Sequence, residues 1–233
     1  MKVVEIFYSI DGEGKRAGEL TTFIRLFGCN LRCSYCDTKY SYESQPDKLP
    51  YKEMSITQII EECKKYRTKN ITVTGGEPLI HDDIEYLLQG LSQEHFDVNV
   101  ETNGSVNVLK YLDDKKYENV WFTIDYKCLS SEMNNRMCMD NFTSDKNYLD
   151  NIVYKFVVGD NRDLIQAYEI ICEKLLKTTS KTCYIYLSPV YGKIEPSEIV
   201  EFMKNCGLYS SNIPIRVQLQ LHKYIWDVNK RGV

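Results

Sequence analysis

The sequence predicts an α/β fold, an incomplete and open βα barrel of about six to seven mainly parallel strands with helices outside. Two observations support this prediction. Strand-like and helix-like segments alternate along the chain, and the strands are fewer than the eight of a closed barrel. A doubly wound open sheet is the alternative, and both architectures place ligands at the carboxyl ends of the strands.

The predicted strands are β-branched and aromatic runs of strand length. They cover residues 22–27, 70–74, 97–102, 119–125, 152–158, 183–188 and 213–221. Amphipathic helices fall between them, over residues 55–67, 82–93, 162–177 and 196–205. Ser55 and Gln58 form a capping-box pattern at the start of the first helix. Two polar stretches, residues 40–53 and 128–150, are expected to be irregular.

The composition indicates an ordinary globular protein. Its 233 residues are 43% hydrophobic and 27% charged, which suits one domain with a substantial core. No apolar run approaches the ~20 residues that cross a bilayer, and the first seven residues do not form the apolar stretch of a signal peptide. We therefore expect a cytoplasmic protein without membrane contact. The net charge of −4 gives no basic field for direct binding of nucleic acid.

Three of the nine cysteines cluster as Cys29, Cys33 and Cys36, in C-x3-C-x2-C order. Since a four-iron cluster takes four thiolates, three of them leave one iron open. An open iron can bind S-adenosylmethionine (SAM) by its amino and carboxylate groups. Zinc is the alternative, with one of the three histidines brought in by folding. The scattered cysteines are expected to be small buried hydrophobes, and Cys63 and Cys172 lie on apolar helix faces.

Polar clusters also follow other predicted strands. The first is T-G-G-E-P at 74–78, where the glycines allow a ligand to approach the backbone and Glu77 could accept hydrogen bonds from an ammonium group. A plain βα turn is the alternative there. The other clusters occupy 101–104, 125–127 and 188–191. The Gly-rich loop at 9–14 does not have the Lys or the spacing of a phosphate-binding P-loop.

Two predicted strands carry unexpected polar residues, and those of the last strand indicate a polar cavity. Arg25 lies in an otherwise apolar strand, so it either pairs with Glu or Asp or binds an anionic ligand such as a carboxylate. Gln218, Gln220 and His222 share one face of the last predicted strand by its two-residue period.

Together these motifs resemble the 7-carboxy-7-deazaguanine synthase family of radical-SAM enzymes. The resemblance covers nearly the whole chain. Its motifs are S-I-D-G-E-G at 9–14, F-I-R-L-F-G-C-N-L-R-C-S-Y-C-D-T at 23–38, T-G-G-E-P at 74–78, E-T-N-G at 101–104, D-Y-K at 125–127 and Q-L-H-K-Y at 220–224. The cysteines and T-G-G-E-P are typical of radical-SAM enzymes in general. The N-terminal loop, C-D-T and Q-L-H-K narrow the resemblance to this family.

The resemblance implies a carbon–nitrogen lyase of 7-deazapurine (queuosine) biosynthesis. Such an enzyme converts 6-carboxy-5,6,7,8-tetrahydropterin to 7-carboxy-7-deazaguanine. A SAM-derived radical takes hydrogen from C6 of the pterin, the ring contracts and ammonia is lost. The implied cofactors are a [4Fe-4S] cluster, SAM and Mg²⁺, and the implied partners are a flavodoxin or ferredoxin as electron donor and a second copy of the chain. Two rival functions share part of this pattern, a radical-SAM activase of a glycyl-radical enzyme and a non-enzymatic zinc-binding module.

The resemblance also implies the site residues. The catalytic positions are Cys29, Cys33 and Cys36, which ligate the cluster, and Arg25. SAM contacts fall on Tyr35, Cys36, Asp37, Gly76, Glu77, Asp125, Tyr126, Lys127, Ser188, Pro189, Val190 and Tyr191. The substrate contacts are Ile10, Asp11, Gly12, Glu13, Arg25, Thr74 and His222, and Thr38 binds Mg²⁺. Many family members carry Gln where this chain has Asp11. We expect one radical-SAM domain over 1–233, with an N-terminal substrate loop at 1–20 and a C-terminal pocket segment at 213–233.

Overall fold

A computed structural model describes residues 1–43, 50–112, 114–142, 149–176, 184–208 and 214–233. In these ranges nine strands form one sheet, in the order β3-β1-β2-β4-β5-β6-β7-β8-β9. The strands are β1 (Lys2–Ile10), β2 (Leu20–Leu26), β3 (Lys52–Glu53), β4 (Asn70–Gly75), β5 (Asp97–Thr102), β6 (Val120–Lys127), β7 (Ile152–Val158), β8 (Tyr184–Pro189) and β9 (Ile215–Val217). The helices are α1 (Ile56–Lys64), α2 (Ile84–Gln93), α3 (Leu109–Leu112), α4 (Asn161–Ile170), α5 (Pro196–Asn205) and α6 (His222–Ile225).

The parallel part of the sheet confirms the predicted open βα barrel. Strand β2 and strands β4 to β9 run parallel and lie side by side in chain order. A doubly wound sheet would reverse this order at a switch point, and the described strands do not. The sheet stays open, since β3 and β9 are its two edges.

The N-terminal strand was not predicted from the sequence. Strand β1 pairs antiparallel with β2, from Val3 opposite Leu26 to Ile10 opposite Leu20. The rings of Phe7 and Phe23 stack across this pair at 4.8 Å. The expected loop at 1–20 is therefore wrong for Lys2–Ile10, and the connection to β2 is confined to residues 11–19.

The two faces of the parallel strands differ in polarity. On the outer face, Ile71, Val98 and Phe122 are fully buried in one apolar cluster with residues of α1 and α2. On the inner face, many side chains are polar, and Thr123 Oγ1 donates to Asn99 Oδ1 at 3.0 Å, beside a small apolar cluster of Trp121, Val153 and Tyr186. Because strand side chains alternate between faces, the helices cover an apolar surface while the inside of the open barrel is largely polar.

Most helices follow the prediction, with shifted ends. The capping box of α1 is confirmed, since Gln58 N–H donates to Ser55 Oγ at 3.2 Å and Ser55 N–H to Gln58 Oε1 at 2.8 Å. The predicted helix at 162–177 is α4 followed by a π-helical turn, Ile171–Leu175, and residue 177 lies outside the described ranges. The predicted strand at 213–221 is wrong in length, because β9 covers only Ile215–Val217; residues 183 and 213 are also outside the described ranges.

The scattered cysteines differ in burial. Cys63 and Cys128 are buried, which confirms the prediction for both. Cys138, Cys172 and Cys206 are only half-buried, so the expected burial of these three is wrong. Cys183 lies outside the described residues.

Across the described ranges, no helix has both the length and the apolar character needed to cross a membrane.

Candidate active site

The three clustered cysteines lie on the loop that follows β2. Cys29, Cys33 and Cys36 are half-buried free thiols, and the Cys36 N–H donates to the Cys33 carbonyl at 3.2 Å. Nowhere in the described part of the chain do three His, Cys, Asp or Glu side chains converge closely enough to hold one metal ion. A four-iron cluster has a different requirement, because each thiolate binds its own iron. The three thiols of the loop thus fit a cluster in which each of them binds a separate iron.

The turn after β4 packs directly against this loop. Gly75 has a φ of +135°, and a Cβ there would lie 2.1 Å from the Leu26 carbonyl oxygen. A Cβ on Gly76 would lie 2.0 Å from the Gly28 oxygen and 2.8 Å from Cys29 Cβ. The sequence predicts that these glycines let a ligand approach, whereas the structure shows that they let two backbone segments approach each other. The contact of Gly76 with SAM stays a prediction.

Glu77 lies beneath this contact. Its side chain is fully buried. Its carboxylate accepts hydrogen bonds from the Leu79 N–H at 3.0 Å, from Thr102 Oγ1 at 2.8 Å and from the Asn103 N–H at 2.6 Å. Burial raises the pKa of Glu77 to about 7, although these donors oppose the shift. The carboxylate links the ends of β4 and β5, and its predicted bond to the ammonium group of SAM stays a prediction.

The end of β6 carries a charge cluster on the inner face. Asp125 Oδ2 lies 2.7 Å from Lys127 Nζ, and Asp125 Oδ1 lies 2.9 Å from Lys155 Nζ. Lys155 Nζ also lies 3.2 Å from Glu13 Oε1. Burial opposes the ionisation of Asp125, but the two lysines hold the pKa of its carboxyl below the usual range. Tyr126 packs its ring in the core, so only its backbone is available to SAM.

The end of β8 lies on the same inner face. Ser188 is buried, and its Oγ has no hydrogen-bond partner among the described residues. Pro189 and Val190 are also buried, while Tyr191 is 48% exposed. A buried hydroxyl without a partner suits a position that binds a ligand. Among the predicted SAM contacts at residues 188–191, Ser188 is thus the one whose geometry best fits contact with a ligand.

Asp11 is the buried partner of Arg16. Its Oδ2 lies 3.0 Å from Arg16 Nε, and its Oδ1 accepts a hydrogen bond from Thr72 Oγ1 at 2.8 Å. Burial raises the pKa of Asp11 to about 6, and Arg16 opposes the shift. Both carboxylate oxygens are therefore bonded within the protein. A contact between this side chain and a pterin stays a prediction.

The C-terminal segment packs onto the N-terminal loop. Ile10 ends β1, and two residues later the Gly12 carbonyl accepts a hydrogen bond from the Leu221 N–H at 2.9 Å. The ring of His222 is so close that a Cβ on Gly12 would lie 2.2 Å from its Nδ1. Burial lowers the pKa of His222, so the ring favours its neutral form. Two predicted substrate positions, Gly12 and His222, therefore meet.

Gln218 also holds the N-terminal loop in place. Its Oε1 accepts from the Gly14 N–H at 2.7 Å, and its Nε2 donates to the Gly14 carbonyl at 2.9 Å. The prediction that Gln218, Gln220 and His222 share one strand face is wrong, because β9 ends at Val217. Gln218 is instead a buried residue that bonds the N-terminal loop, and the polar cavity stays a prediction.

Arg25 has an internal partner. Its Nε lies 2.7 Å from Glu5 Oε1, and its guanidinium lies over the rings of Phe7 and Tyr40 at 5.5 and 5.7 Å. Of the two interpretations made from sequence, the structure shows the internal pair. This bond uses Nε, so the terminal guanidinium nitrogens are not part of it. Binding of a substrate carboxylate by Arg25 stays a prediction.

Glu101 and Lys155 are inner-face charges that were not selected as site residues from the sequence. Thr74 Oγ1, a predicted substrate contact, donates to Glu101 Oε2 at 2.8 Å. Burial raises the pKa of Glu101 to about 7, while Lys155 opposes the shift. The available signal was the two-residue period of β5, which places Asn99 and Glu101 on one face of an otherwise apolar strand.

The residues around Cys36 face the C-terminal segment. Lys223 Nζ lies 2.7 Å from Asp37 Oδ2; although burial opposes ionisation, this ammonium holds the pKa of Asp37 below its usual range. The Tyr35 hydroxyl is buried and has no hydrogen-bond partner among the described residues. Thr38 Oγ1 lies 3.8 Å from Cys36 Sγ. A magnesium ion takes oxygen ligands and keeps several waters, so at Thr38 it would depend on substrate and water for its other ligands.

Comparisons with known proteins agree with this geometry. The model of the radical SAM superfamily matches residues 23–154. The chain is 45% identical over 233 residues to a 7-carboxy-7-deazaguanine synthase of Clostridium acetobutylicum, covering 100% of this chain and 99% of that protein. It is 36% identical to one of Chlorobaculum tepidum, covering 100% and 97%. The crystal structure of QueE from Escherichia coli matches with a TM-score of 0.66 at 23% identity, covering 94% of this chain and 93% of that one, which bears on the fold alone.

Proposed function

The chain belongs to the 7-carboxy-7-deazaguanine synthase family of radical-SAM enzymes, and from this premise we propose that it converts 6-carboxy-5,6,7,8-tetrahydropterin to 7-carboxy-7-deazaguanine. The reaction belongs to 7-deazapurine biosynthesis and releases ammonia. The observation that carries the proposal is a C-x3-C-x2-C loop packed on the T-G-G-E turn above a polar inner face.

The cysteine loop fits a [4Fe-4S] cluster, and Cys29, Cys33 and Cys36 would hold it. When bound, the cluster and SAM supply the radical that removes a hydrogen atom from the substrate. The protein contributes position. Ser34 N–H donates to the Ser131 carbonyl at 3.1 Å, and Asn103 Nδ2 lies 3.7 Å from Cys29 Sγ, so both ends of the loop are anchored.

We assign SAM and the substrate to different parts of the inner face. SAM is assigned to the Asp125–Lys127 and Ser188–Tyr191 turns, and the pterin to the N-terminal loop and His222. A neutral His222 ring can donate from one nitrogen and accept at the other, which suits an aminopyrimidine. The pterin carboxylate is assigned to the terminal nitrogens of Arg25, since a guanidinium fork matches a carboxylate.

The proposal extends to the partners. Thr38 binds a magnesium ion whose coordination shell is completed by the substrate. A low-potential flavodoxin or ferredoxin supplies the electron. The enzyme acts as a homodimer in the cytoplasm.

The glycyl-radical activase and the zinc module are not favoured. Full-length similarity to relatives named 7-carboxy-7-deazaguanine synthase argues against both.

Product identification tests the function. The anaerobically purified protein is incubated with 6-carboxytetrahydropterin, SAM and a reductant, and the products are identified by mass spectrometry. We expect 7-carboxy-7-deazaguanine from the wild-type protein and from Cys63→Ala, a control at a buried cysteine of the core. Absence of the deazapurine from wild-type protein that contains iron and binds SAM would contradict the proposal.

A further inference from the structure

Lys155 is a buried charge to which the proposed function gives no role. It lies in β7 on the inner face, with a side chain that is 6% exposed. Its ammonium contacts two carboxylates, Asp125 Oδ1 at 2.9 Å and Glu13 Oε1 at 3.2 Å. Asp125 belongs to the predicted SAM turn and Glu13 to the predicted substrate loop. Lys155 therefore joins the two predicted binding sites.

The two carboxylates depend on Lys155 to different degrees. Asp125 has a second cation, because Lys127 Nζ lies 2.7 Å from its Oδ2. For Glu13, Lys155 is the one cation within ion-pair distance in the described ranges. Without Lys155, Asp125 stays paired while Glu13 loses its partner. The position of Glu13 is thus more sensitive to Lys155 than the position of Asp125 is.

Lys155 remains charged in this setting. Burial opposes protonation, but Asp125, Glu13 and Glu101 together hold the pKa of Lys155 above its ordinary value. Asp125 and Glu13 both lie within ion-pair distance of this one ammonium. A ligand that engages Asp125 therefore changes the share of the ammonium that is left for Glu13.

We propose that Lys155 is a positioning residue that couples the two ligands, so that SAM at the Asp125 turn orients Glu13 toward the pterin through the Lys155 ammonium. The inference rests on the proposed function. Coupling of this kind is reciprocal, because each ligand must change the affinity of the other by the same factor. It makes the productive geometry depend on the presence of both ligands.

Binding measurements test the coupling without turnover. The dissociation constant of 6-carboxytetrahydropterin is measured by anaerobic calorimetry, with the cluster left oxidised, in the presence and absence of saturating SAM. We expect the wild-type protein to bind the pterin about fivefold or more tightly when SAM is present. Lys155→Met, which keeps the length and removes the charge, should bind it equally with and without SAM. Lys155→Arg should restore most of the effect.

Thr123→Val is the matched control. Thr123 is also buried on the inner face, and the change removes its hydrogen bond to Asn99 without removing a charge. It should keep the wild-type ratio of dissociation constants. The inference is overturned if wild type and Lys155→Met show the same ratio, if Thr123→Val loses the ratio as well, or if Lys155→Met loses its iron.

Turnover gives a second readout, which separates the proposed function from the inference about Lys155. In Lys155→Met we expect about a hundredfold slower formation of deazapurine, the loss that a misplaced reacting group can cause, and more 5′-deoxyadenosine released per product. Wild-type protein that makes the deazapurine but shows no coupling would overturn the inference alone. Wild-type protein that neither binds the pterin nor makes the deazapurine would overturn the proposed function, and the inference with it.

Discussion

Two buried ion-pair clusters on the inner face differ in what surrounds the cation. At the amino-terminal end of the strands, Arg16 bonds the Asp11 carboxylate, Thr72 Oγ1 and the carbonyls of Asp97 and Ile71, all at 3.0 Å. A second carboxylate, the half-exposed Asp97, lies 3.8 Å from Arg16 Nη1, and the Arg16 side chain is 5% exposed.

Farther toward the carboxyl ends, the cations are paired with carboxylates rather than with backbone carbonyls. Lys155 and Lys127 face Asp125, Glu13 and Glu101. Positions at the carboxyl ends of barrel strands carry function, whereas the amino-terminal end serves stability. We therefore propose that the Arg16 cluster serves folding and that the Lys155 cluster serves ligand binding. Four substitutions test this division, in order of decreasing effect.

Cys33→Ala should abolish function and leave the fold intact. The loss of one thiolate removes a ligand of the cluster, so we expect iron content and deazapurine formation to fall below detection. Because Cys33 is half-buried on a loop, the free energy of unfolding of the iron-free protein should change by no more than about 0.5 kcal/mol. Iron analysis, product assay and chemical denaturation measure this. Retained iron with full activity would contradict the assignment.

Arg16→Met should have the largest effect on stability. It leaves the Asp11 carboxylate buried without its cation, and breaking a buried pair in this way costs about 3–5 kcal/mol. Lys155→Met should cost less, because Asp125 keeps Lys127 at 2.7 Å. The measurement is the free energy of unfolding from guanidinium titration. Equal losses in the two variants would erase the distinction between the clusters.

Asp11→Asn should change how stability depends on pH. The folded-state pKa of Asp11 is raised from 3.8 to about 6 by burial, so the folded protein holds a proton that the unfolded chain releases between these values. The contribution of Asp11 to stability is then full below pH 3.8 and is lost as pH rises to about 6. Relative to Asp11→Asn, the wild-type protein should lose on the order of 1–3 kcal/mol across this window. A pH-independent difference between the two proteins would contradict the shift.

Lys223→Gln should have the smallest effect on stability. The Lys223 side chain is 10% exposed, but that of its partner Asp37 is 52% exposed, and an ion pair with one partner in contact with solvent contributes about 1 kcal/mol or less. Deazapurine formation should still fall several-fold, because Asp37 directly follows Cys36. Denaturation and product assays check both statements. A stability loss as large as that of Arg16→Met would place Lys223 in the structural group.

The sequence was sufficient for features set by local pattern. The parallel strands followed from β-branched runs, the cap of α1 from Ser55 and Gln58, and the cysteine loop from its spacing. Strand β1 was missed because V-V-E-I-F-Y-S-I is apolar at most positions and does not alternate clearly, and its pairing with β2 is a tertiary contact.

Partner choice within the site could not be predicted from the sequence. Nothing in the motif S-I-D-G-E-G indicates that Asp11 has a partner within the protein. Only the fold brings Thr72, which is 61 residues away in the chain, to its Oδ1. The same holds for Lys155, since Glu13 and Asp125 are distant in the chain. Burial and pairing of inner-face charges depend on which strands are neighbours, and single-strand patterns do not contain that information.

The most direct test of the central claim is the electron paramagnetic resonance spectrum of the reduced protein with and without SAM. Three protein thiolates leave one iron of the cluster free to bind the amino and carboxylate groups of SAM. We expect a [4Fe-4S] signal that shifts when SAM is added. A signal unchanged by SAM, or a purified protein that carries stoichiometric zinc in place of iron, would contradict it.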